Sequence, residues 1–293
     1  MNTTAPELIE IDAYKWCKGV TKKRARNFYY GLKLLPEPRR SAMYAIYAWM
    51  RHADDLIDEQ GDRDAASALL DEFAEHTRAS LTGSVPCDLP MWKAFTETVS
   101  RWSLDPAPFG MMIDGQQADL EGQPIRTPDE LLQYCRQVAS SVGLICIQIW
   151  GATGDLARDL AIERGIAFQL TNILRDLRED LEMGRCYLPS EQLKSAGIST
   201  DDLLSWLHAD RCESLVRGWI DIAHEAYGRS APLDEMIDVE CRPTLWAMTS
   251  IYRSLLDRID RDPSRIARGP RIRLGAAHKT SIALRARWMA RGG

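Results

Sequence analysis

The sequence predicts an all-α protein that folds as one domain over residues 1–293. Apolar residues recur at 3.6-residue spacing along most of the chain, and no stretch alternates as a half-buried strand would. The hydrophobic content of 45% is enough for a sizeable core. Neither an internal repeat nor a low-complexity linker divides the chain. These three observations favour a single helical bundle.

The 3.6-residue spacing predicts a series of helices. They cover residues 37–59, 65–81, 90–102, 107–120, 128–150, 154–182, 200–208, 210–230 and 243–260. Glycine and proline clusters mark the breaks, for example at 82–86, 121–124 and 151–154. The run Thr127-Pro128-Asp129-Glu130 combines an N-cap, a proline at the first helical position and a capping-box glutamate. A helix is therefore expected to begin at residue 128.

Two acidic motifs lie about 120 residues apart on predicted helices. Asp54 and Asp58 form one pair, and Asp176 and Asp180 form the other. Residues at i and i+4 share a helix face, so each pair places two like charges side by side, which costs about 0.2–0.5 kcal/mol. A hard divalent cation compensates for this repulsion, and Mg²⁺ completes its coordination with water and phosphate oxygens. The motifs therefore predict a diphosphate site, with a solvated helix face as the alternative for either motif alone.

Each motif follows an apolar stretch and an arginine. Residues 45–50 precede the first motif and residues 166–174 precede the second, so both acidic faces emerge from largely apolar helices. Arg51 and Arg175 lie just upstream of the aspartates. A guanidinium offers a planar fork of donors that suits phosphate oxygens.

The charge distribution is uneven. Residues 13–36 hold seven lysines and arginines and no acid, and residues 263–293 hold eight and no acid. The remaining body carries 22 bases against 39 acids, or about −17. Basic ends of this kind suit an anionic membrane surface or an anionic substrate, and the chain lacks any nucleic-acid recognition motif, so no nucleic acid is expected. Residues 281–289 predict a short basic amphipathic helix that contacts a membrane, with a solvated tail as the alternative.

Cysteine usage and hydropathy predict a cytoplasmic protein, with a peripheral position on the inner face of the membrane as a variant. The seven cysteines form no C-x-x-C pair, which is typical of reduced thiols. The N-terminus has no apolar signal-peptide region, and the longest apolar run, 142–152, is too short to span a bilayer.

Three runs carry a resemblance to a known family. Residues 44–58 read YAIYAWMRHADDLID, residues 134–143 read YCRQVASSVG, and residues 169–180 read QLTNILRDLRED. Their order and spacing resemble the squalene/phytoene synthase family, and the likeness extends from about Phe28 to about residue 260. The resemblance implies an isoprenoid-synthase helical bundle around a central cavity. It also implies that two prenyl diphosphates are joined head to head.

The resemblance assigns residues to the metal and to the chemistry. About three Mg²⁺ ions are implied. The implied metal ligands are Asp54, Asp58, Asn172, Asp176 and Asp180. The implied catalytic side chains are Tyr47, Arg51, Tyr134 and Arg175. The tyrosines are expected to line the cavity, where an aromatic face stabilises a carbocation and a hydroxyl relays a proton, with ordinary core packing as the alternative.

Further side chains are implied to contact substrate. They are Asn27, Phe28, Tyr47, Arg51, Val138, Gly143, Gln169, Asn172 and Arg175. Two positions depart from the usual family pattern: Ser140 stands where many relatives have glycine, and Asn27 stands where they have serine. The first is expected beside the cavity, where it bears on chain length, and the second near one diphosphate.

The favoured function is a Mg²⁺-dependent condensation of two farnesyl diphosphates to presqualene diphosphate, squalene or dehydrosqualene. NADPH is expected only if squalene is the product. The alternative is a phytoene synthase that uses two geranylgeranyl diphosphates. A class I terpene cyclase is a further alternative, because Asn172, Asp176 and Asp180 lie at i, i+4 and i+8. A non-catalytic assembly protein of the same fold is the last alternative.

Overall fold

The computed structural model describes residues 5–58 and 62–292, and within these ranges the regular structure is entirely helical. The helices of the first half are α1 (Ala5–Arg24), α2 (Arg26–Leu32), α3 (Arg39–Asp58), α4 (Arg63–Leu81), α5 (Pro90–Trp102), α6 (Ala107–Glu121) and α7 (Pro128–Cys135). The helices of the second half are α8 (Ser141–Ile149), α9 (Asp155–Glu182), α10 (Ser190–Ala196), α11 (Thr200–Ser205), α12 (Ala209–Arg229), α13 (Leu233–Met236), α14 (Arg242–Arg261), α15 (Arg265–Arg268) and α16 (Ala276–Gly292). The predicted all-α fold is confirmed.

The capping box predicted at the start of α7 is formed. The Thr127 hydroxyl accepts the backbone N–H of Glu130 at 3.2 Å, and the Glu130 carboxylate accepts the backbone N–H of Thr127 at 3.3 Å. The helix predicted over 128–150 is interrupted, however, because residues Arg136–Ser140 form a π-helical turn between α7 and α8. Such turns often accompany functional sites, since they redirect the side chains of one turn.

Helix α1 lies outside the predicted set. Its packed face carries small residues, Ala13, Cys17 and Thr21, which are all almost fully buried. The Thr21 hydroxyl donates to the Cys17 carbonyl at 2.8 Å within the same helix. Small side chains give a weak hydropathy signal although they allow close packing against α3 and α5, so the periodicity that revealed the other long helices is muted here.

An aromatic cluster fixes α3, which carries the first acidic motif. The Trp49 ring lies 5.3 Å from Phe95, 5.4 Å from Phe73 and 5.1 Å from Phe109, and these residues come from α3, α4, α5 and α6. The indole N–H of Trp49 donates to the Thr77 hydroxyl at 2.9 Å, which satisfies its one polar atom. Asp54 therefore projects from a rigid helix.

Glycines let α9 approach the π-helical turn and α8. A Cβ at Gly165 would lie 2.4 Å from the Cα of Ser140, and a Cβ at Gly143 would lie 3.1 Å from the carbonyl oxygen of Ala161. Because Ser140 meets Gly165 while Gly143 meets Ala161, α8 and α9 run antiparallel. The two helices thus form adjacent walls of the central cavity.

Within the part of the chain that the structure describes, no helix combines the length and apolarity needed to cross a membrane. All seven cysteines are free thiols, as predicted, and five of them are buried. Burial raises the pKa of the Cys17 and Cys146 thiols to about 12, so both stay protonated at neutral pH.

Candidate active site

A cavity of about 370 Å³ lies between α2, α3, α6, the π-helical turn, α8, α9 and α14. On α3 its lining extends from Met43 to Asp54, and on α9 it extends from Ala161 to Asn172. Each span covers 11 residue steps, or about 16 Å along a helix axis. The polar side chains Asp54 and Asn172 end these two spans. Helix α6 links the two ends, because its Gln116 binds Asp54 and its Asp119 binds Tyr187, which lies near Asp180. The rest of the lining is mainly apolar. We call the polar end the mouth.

Asp54, from the first acidic motif, faces the cavity. Its carboxylate accepts a hydrogen bond from the Gln116 side-chain amide at 2.8 Å and lies 3.6 Å from the Arg51 guanidinium. Arg51 also pairs with Asp55, which lies 3.5 Å from Arg24 at the end of α1. Asp58 ends α3, but its side chain lies outside the described residues.

The two aspartates of the second motif are not among the lining residues, but Asn172, one turn before Asp176 on α9, is. Asp176, one turn further along α9, accepts from Arg175 Nε at 2.7 Å and pairs with Arg271 Nε at 2.8 Å. Arg271 also pairs with Glu179 at 3.1 Å. The carboxylates of this motif therefore lie just beyond the cavity lining and are covered by guanidinium groups.

Asp180 shows the repulsion that the sequence predicted for this helix face. Burial, and after it the neighbouring charge of Asp176, raise the pKa of its carboxyl to about 7. Two nearby carboxylates carry like charges that repel each other, and a bound cation removes this repulsion. This environment is consistent with a cation that binds the two aspartates together.

The polar groups of the mouth fit Mg²⁺. The amide oxygen of Asn172 is buried and accepts no hydrogen bond, although a buried acceptor normally has a partner. Across the described ranges, no three His, Cys, Asp or Glu side chains already converge on one point. The nearby oxygen donors are nevertheless the carboxylate and amide groups that Mg²⁺ prefers. Asp54, Asn172, Asp176 and Asp180 would hold it, each through a side-chain oxygen.

Tyr134 is one of the residues that line the cavity. Its hydroxyl donates to Asp119 at 2.9 Å, and the hydroxyl of Tyr187 donates to the other oxygen of the same carboxylate at 3.1 Å. The two rings stack at 5.0 Å. Burial, followed by the charge of Asp119, holds the pKa of Tyr134 well above its ordinary value. Tyr134 is therefore a neutral phenol in a fixed orientation.

An aromatic wall joins the two helices that carry the motifs. Tyr252 of α14 stacks with Phe168 at 4.6 Å and lies 5.6 Å from Phe28, and all three rings line the cavity. Tyr47 lines it from α3, and burial raises the pKa of its hydroxyl to about 12. Aromatic faces of this kind attract a positive charge that develops inside a water-poor cavity.

The remaining predicted contacts divide into two groups. Val138, Gly143 and Gln169 line the cavity. Arg51 and Arg175 do not line it, and they pair with the aspartates of their own motifs. Asn27 lies on α2, but its side chain is outside the described residues.

Ser140 lies behind the wall rather than in the lining. It is fully buried, and its hydroxyl donates to the carbonyl of Ile162 on α9 at 2.7 Å. The neighbouring residues of the π-helical turn, Val138 and Ala139, face the cavity instead. Ser140 therefore affects the cavity only through the packing of α9.

Sequence reasoning missed Gln116, Asp119, Tyr187, Tyr252 and Arg271. Gln116 and Asp119 share a face of α6 at i and i+3, and that spacing could have singled them out. The segment reads DGQQAD, so four polar residues compete for the same role without any way to rank them. Arg271 contacts Asp176, which lies 95 positions earlier in the chain. A local sequence pattern does not predict a contact over such a separation.

Comparison with known proteins identifies the family. The family described as "Squalene/phytoene synthase" matches residues 21–278. Phytoene synthase 1, chloroplastic, of Zea mays is 34% identical over 255 residues, which are 85% of this chain and 62% of that protein. The 15-cis-phytoene synthase of Synechococcus elongatus is 33% identical over 263 residues, which are 86% of this chain and 85% of that protein. The chain thus spans less than two thirds of the maize relative and most of the cyanobacterial one.

A solved structure supports the same assignment. The crystal structure of a dehydrosqualene synthase in complex with ligand aligns with a TM-score of 0.82 and 26% identity, and it covers 97% of this chain and 98% of that one. The chain belongs to the squalene/phytoene synthase family. The class predicted from the sequence, a prenyltransferase of this type, is confirmed by these matches.

Proposed function

We propose that this protein joins two geranylgeranyl diphosphates head to head to give a phytoene-type polyene. The observation that carries the proposal is that Asp54 of α3 and Asn172 of α9 both line one mainly apolar cavity and that α6 links them on that side. A diphosphate can be held between the two helices while its prenyl chain lies against apolar walls. Binding sites for amphipathic ligands combine a few polar groups with a mainly apolar lining in this way.

The chemistry begins with loss of one diphosphate. Mg²⁺ held by Asp54, Asn172, Asp176 and Asp180 would supply the positive charge that a departing diphosphate needs, so the allylic carbon could ionise without a strong acid. The double bond of the second substrate attacks the allylic carbon, and loss of a proton closes a cyclopropyl diphosphate. Departure of the second diphosphate allows the ring to rearrange, and loss of a second proton gives the polyene. The released pyrophosphate supplies a base for these proton losses.

The side chains beside the mouth have complementary roles in the proposal. Tyr134 keeps its proton, because burial and Asp119 raise its pKa, so it orients substrate and presents its ring rather than acting as a base. Phe168 and Tyr252 offer ring faces to the cationic carbons. The apolar walls exclude water, which would otherwise trap the cations as alcohols.

The choice between twenty- and fifteen-carbon substrates rests on the relatives. The two curated phytoene synthases described above support geranylgeranyl diphosphate, at 33–34% identity over about 85% of the chain. Farnesyl diphosphate, the preference drawn from the sequence, is the second candidate. The structural match to a dehydrosqualene synthase at 26% identity favours that candidate.

Product analysis tests the proposal. Purified protein is incubated with farnesyl or geranylgeranyl diphosphate, with and without Mg²⁺ and with and without NADPH, and the hydrocarbons are identified by mass. We expect a Mg²⁺-dependent forty-carbon polyene from geranylgeranyl diphosphate with no need for NADPH. A thirty-carbon product formed faster from farnesyl diphosphate would favour the second candidate. A cyclic fifteen-carbon product would indicate a terpene cyclase, and no turnover would indicate an assembly protein.

The proposal includes a peripheral contact with anionic membrane through α16. Leu284 and Trp288 lie one turn apart on this helix and are 60% and 74% exposed. Arg285 and Arg287 flank them, and residues 263–293 contain no acid. An exposed apolar pair among basic residues suits the interface of an anionic bilayer. We expect the double variant Leu284→Ser/Trp288→Ser to lose co-sedimentation with phosphatidylglycerol vesicles, and unchanged binding would reject the contact.

A further inference from the structure

A buried arginine lies in the apolar part of the cavity wall. Arg164, on α9, is only 4% exposed, and it lines the cavity beside Leu233 and Leu245. Arginine is almost never fully buried unless it is paired. A guanidinium is also an unexpected neighbour for a hydrocarbon chain. Its presence in this wall therefore calls for a specific role.

The guanidinium is held by three other parts of the bundle. Its Nε donates to the Ser230 hydroxyl at 2.8 Å, and its NH2 group donates to the Ser230 carbonyl at 2.9 Å, just after α12. Its NH1 group donates to Asp234 of α13 at 3.0 Å and also to the Thr249 hydroxyl of α14. These bonds satisfy the edges of the planar group, so the side chain cannot turn or retract without breaking several of them at once.

Another part of the cavity wall consists of flexible side chains. Met43, Met50 and Met248 also line the cavity, and methionine side chains are unbranched and adapt to the shape of a ligand. Arg164 is thus a fixed element in a wall that is adaptable only in part. When one wall element yields and another does not, the rigid element determines the size of ligand that is accepted.

The depth of Arg164 fits a limit on chain length. It lies eight residues before Asn172 on α9, which corresponds to about 12 Å along the helix axis. A prenyl chain that extends from the mouth along α9 passes Arg164 beyond its first units. Leu233, which precedes the Asp234 that binds Arg164, also lines the cavity.

We infer that Arg164, fixed by Ser230, Asp234 and Thr249, is a specificity-determining residue that limits the length of the prenyl chain the cavity accepts. This inference rests on the proposed function. It concerns which substrate is used and assigns Arg164 no part in bond making. The wall residue is expected to leave ionisation at the mouth intact and to act only on the fit of the distal prenyl units.

The test measures kcat/KM for prenyl diphosphates of fifteen, twenty and twenty-five carbons with the full-length protein and Mg²⁺. We expect Arg164→Ala to raise the ratio of kcat/KM for twenty-five over twenty carbons by about tenfold, because the pocket gains room for further methylene groups. Arg164→Met keeps the length of the side chain but loses its anchors, so a smaller rise is expected.

A third variant protects the test against loss of folding. Asp234→Asn alters a side chain that is 36% exposed and leaves the cavity lining unchanged, yet it weakens one anchor of the guanidinium. We expect it to raise the ratio by the smallest amount. The matched control is Arg229→Met, which breaks an exposed pair with Glu163 that also joins α12 to α9. Its ratio should equal that of the wild type.

The ratio separates a role in specificity from a role in stability, because loss of folded protein lowers kcat/KM for every substrate alike. A ratio equal to that of the wild type, or lower, in the folded variants overturns the inference. If the wild-type protein converts none of the three substrates, the proposed function fails and this inference fails with it. If the wild type is active and only the variants fail to shift, the proposed function stands.

Discussion

The two acidic motifs differ in what their aspartates contact. On α3, Asp54 faces the cavity, and its partners are the neutral amide of Gln116 and the more distant Arg51. On α9, Asp176 lies beyond the cavity lining and is bound by Arg175 and Arg271. Motifs that look alike in sequence therefore present different surfaces to an incoming cation.

This difference indicates how a cation would assemble the site. Near Asp54 a cation has to displace the amide of Gln116 and competes with the Arg51 guanidinium at 3.6 Å, whereas near Asp176 it competes with two guanidinium groups at 2.7 and 2.8 Å. Charged partners hold a carboxylate more strongly than neutral ones. We therefore expect the α3 side of the mouth to be ready for Mg²⁺ and the α9 side to require a change in the pairing of Asp176.

Loss of either carboxylate gives the largest expected effect. Asp54→Asn and Asp176→Asn should each lower kcat on the order of 10²–10³-fold, because the departing diphosphate loses part of its compensating charge. Steady-state turnover of geranylgeranyl diphosphate measures the loss. Asp71→Asn, which changes an exposed aspartate on α4, is the control and should behave as the wild type. Near-normal rates in both site variants would contradict the metal assignment.

The next effect concerns the acceptor shared by two tyrosines. Asp119→Asn should lower kcat by about 10- to 100-fold, because Tyr134 loses a hydrogen bond to a charged acceptor and with it a fixed orientation. Tyr187→Phe removes only the other donor to Asp119 and should have a smaller effect. Both variants should bind a pyrophosphate analogue nearly as the wild type does. A loss of analogue affinity as large as the loss of kcat would argue against a role for Asp119 in orienting Tyr134.

Arg271 provides a sharper test of the difference between the motifs. In Arg271→Gln, Asp176 loses one competing guanidinium, so the apparent affinity for Mg²⁺ alone should rise by up to about fivefold, the range of a partly exposed ion pair. The shift of the thermal unfolding midpoint with Mg²⁺ concentration measures it. Arg178→Gln breaks an exposed pair with Glu182 on the same helix and should leave the affinity unchanged. Weaker Mg²⁺ binding in Arg271→Gln would contradict the idea that Arg271 competes with Mg²⁺ for Asp176.

The smallest effect is on stability without metal. Because the pKa of Asp180 is raised to about 7 in the folded protein, the folded state binds this proton more tightly than the unfolded state. The charged carboxylate therefore destabilises the fold above about pH 7, and the penalty fades as the pH falls below that value. In EDTA, Asp180→Asn should unfold at a higher temperature than the wild type at pH 8, and the gap should narrow by pH 5. A gap that widens on acidification would reject the raised pKa.

Most of the fold could be predicted because a long amphipathic helix shows apolar residues at 3.6-residue spacing within its own sequence. Helices α3 to α6, α9, α12 and α14 begin and end within a few residues of the predicted positions. Short helices depend instead on tertiary contacts. In α10, the Gln192 side chain accepts the indole N–H of Trp219 at 2.9 Å, and the backbone N–H of Ser190 donates to the carbonyl of Ile125 at 2.9 Å. Neither contact can be read from the local sequence.

The candidate site was predictable where residues share one helix. Asp54 and Asn172 were found because acidic and amide side chains stood at helical spacing on apolar helices. The pairing of Asp176 with Arg271 depends on the path of the chain after α15. The burial of Ser140 depends on the space that Gly165 leaves on α9, where a Cβ would meet Ser140. Packing of this kind is decided by long-range contacts, so the periodicity of a single segment does not report it.

Binding of inorganic pyrophosphate, followed by calorimetry with and without Mg²⁺, tests most directly whether two opposed helices grip a diphosphate through a cation. The account predicts tight binding only with Mg²⁺ in the wild type, and a loss of affinity in both Asp54→Asn and Asn172→Leu, which lie on different helices. Equal binding without Mg²⁺, or full affinity in both variants, would contradict it.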